Sequence, residues 1–338
     1  MKQIIKKCGC FFFMIAFSLL LQATPSCIIK QEFIFQDAPF ASCHAATLTQ
    51  TDSGALLCAW FGGTNEGAND VAIWLSVLNQ EWSCPKKIAL EKDIPSWNPV
   101  LFTMPNKEVI LFYRAGRNPQ QWSSLLKRSY DEGQSWTEAQ MLPAGVIGPV
   151  KNKPLLLADG TLLCGSSIES WKLWGCWVDI TSDAGHTWSK STPINVNSQL
   201  FGIIQPTLFL TKDGVIKLLA RSYQIGHICS AESYDGGKTW SAAQPIDLPN
   251  PNSGIDAVRL IDDRVALVYN HSKEDRFPLN VAISNDEGKT WEMKLVLEEN
   301  PGEYSYPSII QTKDEKIHIV YTWNRKKIKH VVVDPSLL

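Results

Sequence analysis

Four octapeptides of one pattern recur along this chain at an almost constant interval, and that interval limits what the chain can fold into. Ser129 to Trp136, Thr181 to Trp188, Ser233 to Trp240 and Ser284 to Trp291 each read Ser/Thr-x-Asp-x-Gly-x-x-Trp, with starts 52, 52 and 51 residues apart. A degenerate fifth copy, Ser76 to Trp82, precedes them by about one period. The pattern suits a hairpin. Aspartate can accept bonds from turn amides, glycine supplies a positive φ, and tryptophan covers one side. Short β-branched strands such as Val109 to Tyr113 and Lys316 to Tyr321 recur within the period. Four strands per repeat of about 50 residues is the arrangement of a propeller blade. Six periods fit between residue 30 and residue 338, and a sixth copy would begin near residue 336, where the chain stops. The N-terminal strand Glu32 to Gln36 is therefore expected to complete blade six and close the ring. The expected fold is all-β, a six-bladed β-propeller forming one domain over residues 24–338. The repeated turns are expected on its rim, away from any site.

Composition excludes several classes. Thirty-two basic against 34 acidic side chains give no broad attraction for phosphate backbones, so no nucleic-acid partner is expected. There is no glycine loop of the Walker or dinucleotide type, so no nucleotide is implied. The six histidines are dispersed and no Cys-x-x-Cys pair occurs, so neither a metal nor another cofactor is expected. The seven cysteines beyond residue 23 are odd in number and scattered, which reads as buried small hydrophobes more than as a disulfide scaffold. Residues 1–23 read as a signal peptide. Lys2, Lys6 and Lys7 precede an apolar run from Cys8 to Leu21, about 14 residues where a membrane span needs roughly 20, and Ala23 offers a cleavage site. An uncleaved anchor is the alternative. Export to a periplasmic, cell-surface or secreted location is expected, as a monomer.

Laying the periods over one another brings two sets of residues to equivalent places. The first opens each blade: His44, Asn98, Lys153, Gln205, Asp256 and Tyr306, each followed mostly by a small residue or proline and then an apolar strand. Innermost propeller strands start at one face, so these six should line a common mouth. The second set ends the second strand of each blade: Phe61, Arg114, Ser167, Arg221, His271 and Thr322. Arg276 lies just ahead of the third strand of blade five and Asp70 just ahead of that strand in blade one. Several cations converging on one axis point to an acidic ligand, because the planar guanidinium fork suits a carboxylate.

The repeated octapeptide is the Asp box, and with four good copies on one period the chain resembles the sialidase superfamily of six-bladed propellers. The resemblance covers nearly all of residues 24–338. Members of that family hold a substrate carboxylate with three arginines and use an aspartate acid/base and a tyrosine nucleophile activated by a glutamate. Arg221, in Leu-Ala-Arg-Ser, resembles the second arginine and Arg276 the third, while Tyr306, in Tyr-Ser-Tyr-Pro-Ser, resembles the nucleophile. Asp70, after Phe-Gly-Gly-Thr-Asn-Glu-Gly, resembles the acid/base, with Glu66 as the fallback. Two positions depart from the pattern. Cys43-His44-Ala45 stands where the family has an Arg-Ile-Pro segment, and Gln205 stands where it has the glutamate. An amide cannot take the tyrosine's proton as a carboxylate can, so His44 or Asp256, in blades next to Tyr306, is the expected base.

Three functions fit these residues. The first is an exo-acting retaining glycoside hydrolase that releases a sialic-acid-like terminal sugar from a glycan or glycoconjugate. In it Tyr306 attacks, Asp70 protonates the leaving oxygen, and Arg221, Arg276 and Arg114 hold the carboxylate. The second is a polysaccharide lyase cutting beside a uronic acid, which His44 and Gln205 suit better. The third is a non-catalytic glycan-binding propeller that keeps arginines and aromatics such as Trp60, Trp97, Trp171 and Trp174. Asn98, Lys153, Gln205, His271 and Glu66 complete the expected substrate-binding set.

Overall fold

A computed structural model of the chain describes residues 26–196 and 202–338, so the expected signal peptide lies outside the described residues. Within them, 24 strands form six four-stranded antiparallel sheets. Blade one is β2 (Ser42–Gln50), β3 (Leu56–Gly63), β4 (Ala72–Leu78) and β5 (Lys86–Ala89). Blade two is β6 (Ser96–Thr103), β7 (Val109–Ala115), β8 (Ser123–Ser129) and β9 (Gln140–Met141). Blade three is β10 (Leu155–Leu156), β11 (Leu162–Glu169), β12 (Trp174–Thr181) and β13 (Ser189–Lys190). Blade four is β14 (Gly202–Leu210), β15 (Ile216–Tyr223), β16 (His227–Ser233) and β17 (Gln244–Pro249). Blade five is β18 (Asp256–Arg259), β19 (Val265–Asn270), β20 (Leu279–Ser284) and β21 (Glu292–Glu298). Blade six is β22 (Tyr304–Gln311), β23 (Ile317–Trp323), β24 (Lys327–Val333) and the N-terminal β1 (Ile28–Phe33).

Closure by the N-terminal strand thus occurs as the period requires, with the strand displaced toward the N-terminus of the expected Glu32 to Gln36. β1 pairs antiparallel with β24, and Glu32 lies opposite His330. The joint is polar inside. Glu32 accepts from Lys30 at 2.9 Å and from the Trp82 indole at 3.1 Å, and His330 bonds both Glu32 and His318.

Each Asp box joins the third strand of its blade to the fourth, on the face opposite the start of the first strand. In the first of them Asp131 accepts from Ser129 Oγ (2.8 Å) and Ser135 N (2.8 Å), and the Trp136 indole donates to Gly133 O (3.2 Å). Bonds from the hydroxyls and amides of residues four further on hold Asp131, Asp183 and Asp235 at about 2, well inside the ionised range. The box glycine also fastens neighbouring blades. Gly133 has φ +87° and its missing Cβ would stand 2.9 Å from Leu57 of the preceding blade, while Gly237 has φ +85° and would stand 2.9 Å from Leu163. The second strands are the driest part of the molecule. Leu57, Leu111, Leu163, Leu219, Leu267 and Ile319, one per blade, are all 0% exposed. Each contributes about 1.5–3 kcal/mol of burial relative to exposure, so the blade interfaces carry the fold. The seven described cysteines are all unpaired, and five of them are buried.

Candidate functional site

The first two strands of every blade are joined by the same turn, which makes height in the propeller countable. The last rung pairs residues six apart in all six blades: Gln50 with Leu56, Thr103 with Val109, Leu156 with Leu162, Leu210 with Ile216, Arg259 with Val265 and Gln311 with Ile317. Five residues before the first of each pair stand Ala45, Asn98, Lys151, Gln205, Gly254 and Tyr306. In four blades this place is the first residue of a β-bulge, and Ala45, Asn98, Gln205 and Tyr306 all take positive φ there (57°, 34°, 54° and 53°). The bulge turns these side chains from the sheet toward the axis. A left-handed conformation at non-glycine residues is a strained arrangement of the kind that accumulates at functional sites.

This ring corrects the one expected from sequence in three blades. Asn98, Gln205 and Tyr306 are members. His44 precedes the bulge of blade one by one residue, so Ala45 and Ala46 hold the bulge. Lys153 and Asp256 lie two residues past the ring, one layer deeper, and they bind each other across the channel with Lys153 Nζ 2.9 Å from Asp256 Oδ2. Asp256, 0% exposed, also accepts from Thr207 Oγ1 (2.8 Å) and Ile309 N (3.0 Å). Its carboxylate is committed there and is not bonded to Tyr306. The true ring members of blades three and five are Lys151 and Gly254. A Cβ on Gly254 would stand 3.2 Å from Lys151 Cε and 3.3 Å from Tyr306 Cδ2, so the glycine leaves room for both side chains beside the axis. Lys151 Nζ donates to Asn152 Oδ1 (2.9 Å), to Ile255 O (3.0 Å) and to Pro307 O, and burial pulls its pKa down to about 7.

The same counting runs along the second strands and yields Phe61, Arg114, Ser167, Arg221, Asn270 and Thr322. His271 is therefore one residue beyond the ring and bonds Tyr269 OH through Nδ1 at 2.6 Å. Arg114 is at the expected height but is 0% exposed, with its guanidinium donating to Asn98 O (3.2 Å), Ile147 O (2.9 Å) and Pro149 O. It braces the backbone of blades two and three and does not reach a ligand.

Of the cations expected at the mouth, Arg221 and Arg276 meet at Tyr306. Arg221 Nη1 donates to the phenol oxygen at 2.6 Å and to Gln205 Oε1 at 3.0 Å, and Gln205 Nε2 lies 3.3 Å from the same phenol oxygen. The rest of the Arg221 fork is held by Asn252. The Arg221 and Arg276 guanidinium carbons lie 5.5 and 5.7 Å from the Tyr306 ring centroid. A third guanidinium, not singled out from sequence, comes from Arg325 in the β23–β24 turn. Glu303 Oε1 accepts from both Arg276 Nη1 (2.9 Å) and Arg325 Nε (2.6 Å), and Arg325 Nη1 is bonded to Glu66. Burial works against the Glu303 carboxylate, but Arg325 and Arg276 outweigh it and hold its pKa below the usual value. Glu66 thus serves Arg325.

His44 packs on the other side of Tyr306, ring centroids 4.1 Å apart, with Nδ1 2.9 Å from Thr322 Oγ1. Burial and the fields of Arg325, Arg276, Arg221 and Lys151 hold its pKa well below the usual value, so the imidazole is neutral. Asp70 is exposed in the loop between β3 and β4, where it accepts from Thr64 Oγ1 (2.7 Å) and Thr64 N (3.0 Å). The Thr64 hydroxyl lowers its pKa, which keeps it ionised.

The six-bladed propeller with its Asp-box turns is the fold that the repeat implied. Residues 54–319 match the BNR repeat-like domain, and the chain belongs to that family. No curated protein matches it in sequence. Among solved structures it resembles a protein of unknown function from Dyadobacter fermentans at 18% identity and TM-score 0.79, covering 91% of this chain and 98% of that one. It also resembles the NanB sialidase of Streptococcus pneumoniae at 15% identity and TM-score 0.74, covering 91% and 71%. The intramolecular trans-sialidase of Ruminococcus gnavus matches at 12% identity and TM-score 0.71, covering 93% and 99%.

Proposed function

We propose that the chain, after export, is an exo-acting glycoside hydrolase that releases an acidic, sialic-acid-like terminal sugar from a glycan or glycoconjugate. The observation that carries this reading is the convergence of Arg221 and Arg276 on Tyr306, with Arg325 tied to Arg276 through their shared partner Glu303. Among the described residues Arg276 spends only Nη1 on a hydrogen bond and Arg325 spends Nε and Nη1, so the Nη2 group of each keeps its protons for a carboxylate. Paired guanidiniums recognise a carboxylate by shape as well as charge. With that group held, the anomeric carbon faces the Tyr306 oxygen. A neutral tyrosine suits a substrate whose own charge would repel a carboxylate nucleophile. Arg221 and Gln205 donate to that oxygen, and the phenol proton leaves to solvent at the mouth.

A second reading is favoured by one observation. The oxygen of Tyr306 meets an amide where the family has a carboxylate, and a neutral His44 packs against the ring. A lyase acting beside a uronic acid needs arginines to neutralise a carboxylate and an uncharged base for the adjacent carbon-bound proton. Product analysis separates the two. Incubation with sialosides and with uronate-containing glycans, read by mass spectrometry and by ultraviolet absorbance, is expected to give a free acidic sugar that disappears in Tyr306→Phe. An unsaturated uronate product would replace the hydrolase reading with the lyase. Binding without any product would leave a glycan-binding module.

A further inference from the structure

We propose that Glu169, at the mouth end of β11, is the carboxylic acid that protonates the departing glycosidic oxygen, an assignment that rests on the hydrolase reading above. The residue that the family pattern offers for this step is Asp70, but its two oxygens already accept from Thr64 and it is held as the anion. A general acid must carry a proton when the bond breaks.

Glu169 meets the geometric requirement. Ser167 stands in the second-strand ring, level with Arg221, and its hydroxyl accepts from Gln205 N at 3.0 Å across the blade boundary. Side chains two apart on a strand point to the same side, so Glu169 faces the same way one rung nearer the mouth, above the Gln205–Arg221 pair. It is paired in register with Trp174, whose ring lies 5.8 Å from the Arg221 guanidinium carbon and packs at a tilt against Tyr223, ring centroids 4.9 Å apart. Glu169 is half-buried, and among the described residues no hydrogen bond fixes its carboxyl. The charged groups whose fields reach it are Arg221 on β15 and Glu66 on the blade-one loop. Burial raises its pKa, Arg221 opposes that, and Glu66 adds to it. Glu66 is in turn tied to Arg325. Of the two carboxyl groups at this mouth, Glu66 is bonded to Arg325, while Glu169 is half-buried and, among the described residues, has no hydrogen-bond partner to keep it ionised.

The step balances. The Glu169 carboxyl proton passes to the glycosidic oxygen as the bond to the anomeric carbon breaks with its electron pair on that oxygen. The leaving sugar departs as an alcohol and Glu169 becomes a carboxylate. Tyr306 oxygen bonds the anomeric carbon as its proton leaves to solvent. Water then displaces tyrosine, giving one proton back to Glu169 while the phenol regains its own from solvent.

The test compares wild type with Glu169→Gln and Asp70→Asn on two substrates sharing the same acidic sugar, one linked to a phenol and one to galactose. Loss of a general acid lowers kcat/KM on the galactoside by about 10²–10⁴-fold. The phenol leaves without help, so its hydrolysis is expected to fall far less, and the alkaline limb of the pH profile is expected to vanish. Equal loss on both substrates, or the same pattern in Asp70→Asn with Glu169→Gln unaffected, would overturn the assignment. If the wild type releases no acidic sugar from either substrate, the hydrolase reading itself fails. A second readout needs no turnover, namely NMR titration of ¹³C-labelled glutamate carboxyls with Glu169 identified by its absence in Glu169→Gln. A midpoint above the ordinary value of about 4.3 is expected, and one at or below it overturns the acid role even in an active enzyme.

Discussion

Acidification should loosen this propeller at its closing joint before Glu32, the carboxylate of that joint, is protonated. His330 lies on β24, buried between His318 and Glu32 of the N-terminal strand. Burial and the neighbouring His318 pull its pKa down from 6.5 to about 4, against the attraction of Glu32. The unfolded chain therefore binds a proton at this residue that the folded chain refuses, and stability contributed here falls as pH drops from about 6.5 toward 4. Between pH 7 and pH 5 the linkage relation gives a loss of about 2 kcal/mol from this one group. His318 and His44 are also held neutral, mainly by burial, and shift the total in the same direction. Urea unfolding of wild type and His330→Gln at pH 7 and pH 5 isolates the His330 share, because the variant lowers stability at both pH values but lacks the titration. The wild type is expected to lose about 2 kcal/mol more than the variant over that interval. An equal loss in the two proteins would refute the reasoning.

Replacing Lys153 by methionine leaves Asp256, 0% exposed, without its cation in the channel. Unfolding free energy should drop by about 3–5 kcal/mol, and a change below about 1 kcal/mol by urea titration would contradict the account. Gly237→Ala places a Cβ 2.9 Å from Leu163 at φ +85°, so the joint between blades three and four should weaken by about 1–3 kcal/mol, read as a lower urea midpoint. Arg325→Gln removes one charge-assisted donor. Affinity for an acidic monosaccharide should fall about tenfold or more by calorimetry, while unfolding moves far less.

The ring of blades was legible because its cause is local. An aspartate, a glycine and a tryptophan at fixed offsets close a hairpin whatever lies beyond it, so their spacing counts blades directly. Closure by the N-terminal strand followed from the same arithmetic. The mouth was legible only in part. Asn98-Pro, Gln205-Pro and Tyr306-Pro announce the bulges, but blade one has Ala45-Ala46 in that place, and the overlay slid to His44 because a polar residue was expected there. In blades three and five, Lys153 and Asp256 looked like ring members for the same reason, although they sit a layer deeper as an ion pair. Counting back from the turn residues Asp52–Gly54 and Asp159-Gly160 would have found Ala45 and Lys151. Arg325, Glu303 and Glu169 carry no local signal. They lie in connections or at a strand end, and only the closed ring brings blade six beside blade one.

Carboxylate recognition by the Arg221, Arg276 and Arg325 cluster is the central claim, and it can be tested without knowing the reaction. Calorimetric titration of the protein with free N-acetylneuraminic acid and with its methyl ester compares the same sugar with and without the charge. The account predicts that the acid binds at least about tenfold more tightly than the ester, and that Arg276→Met removes most of the difference. Equal affinity for acid and ester, or a preference that survives in Arg276→Met and Arg325→Gln alike, would contradict it.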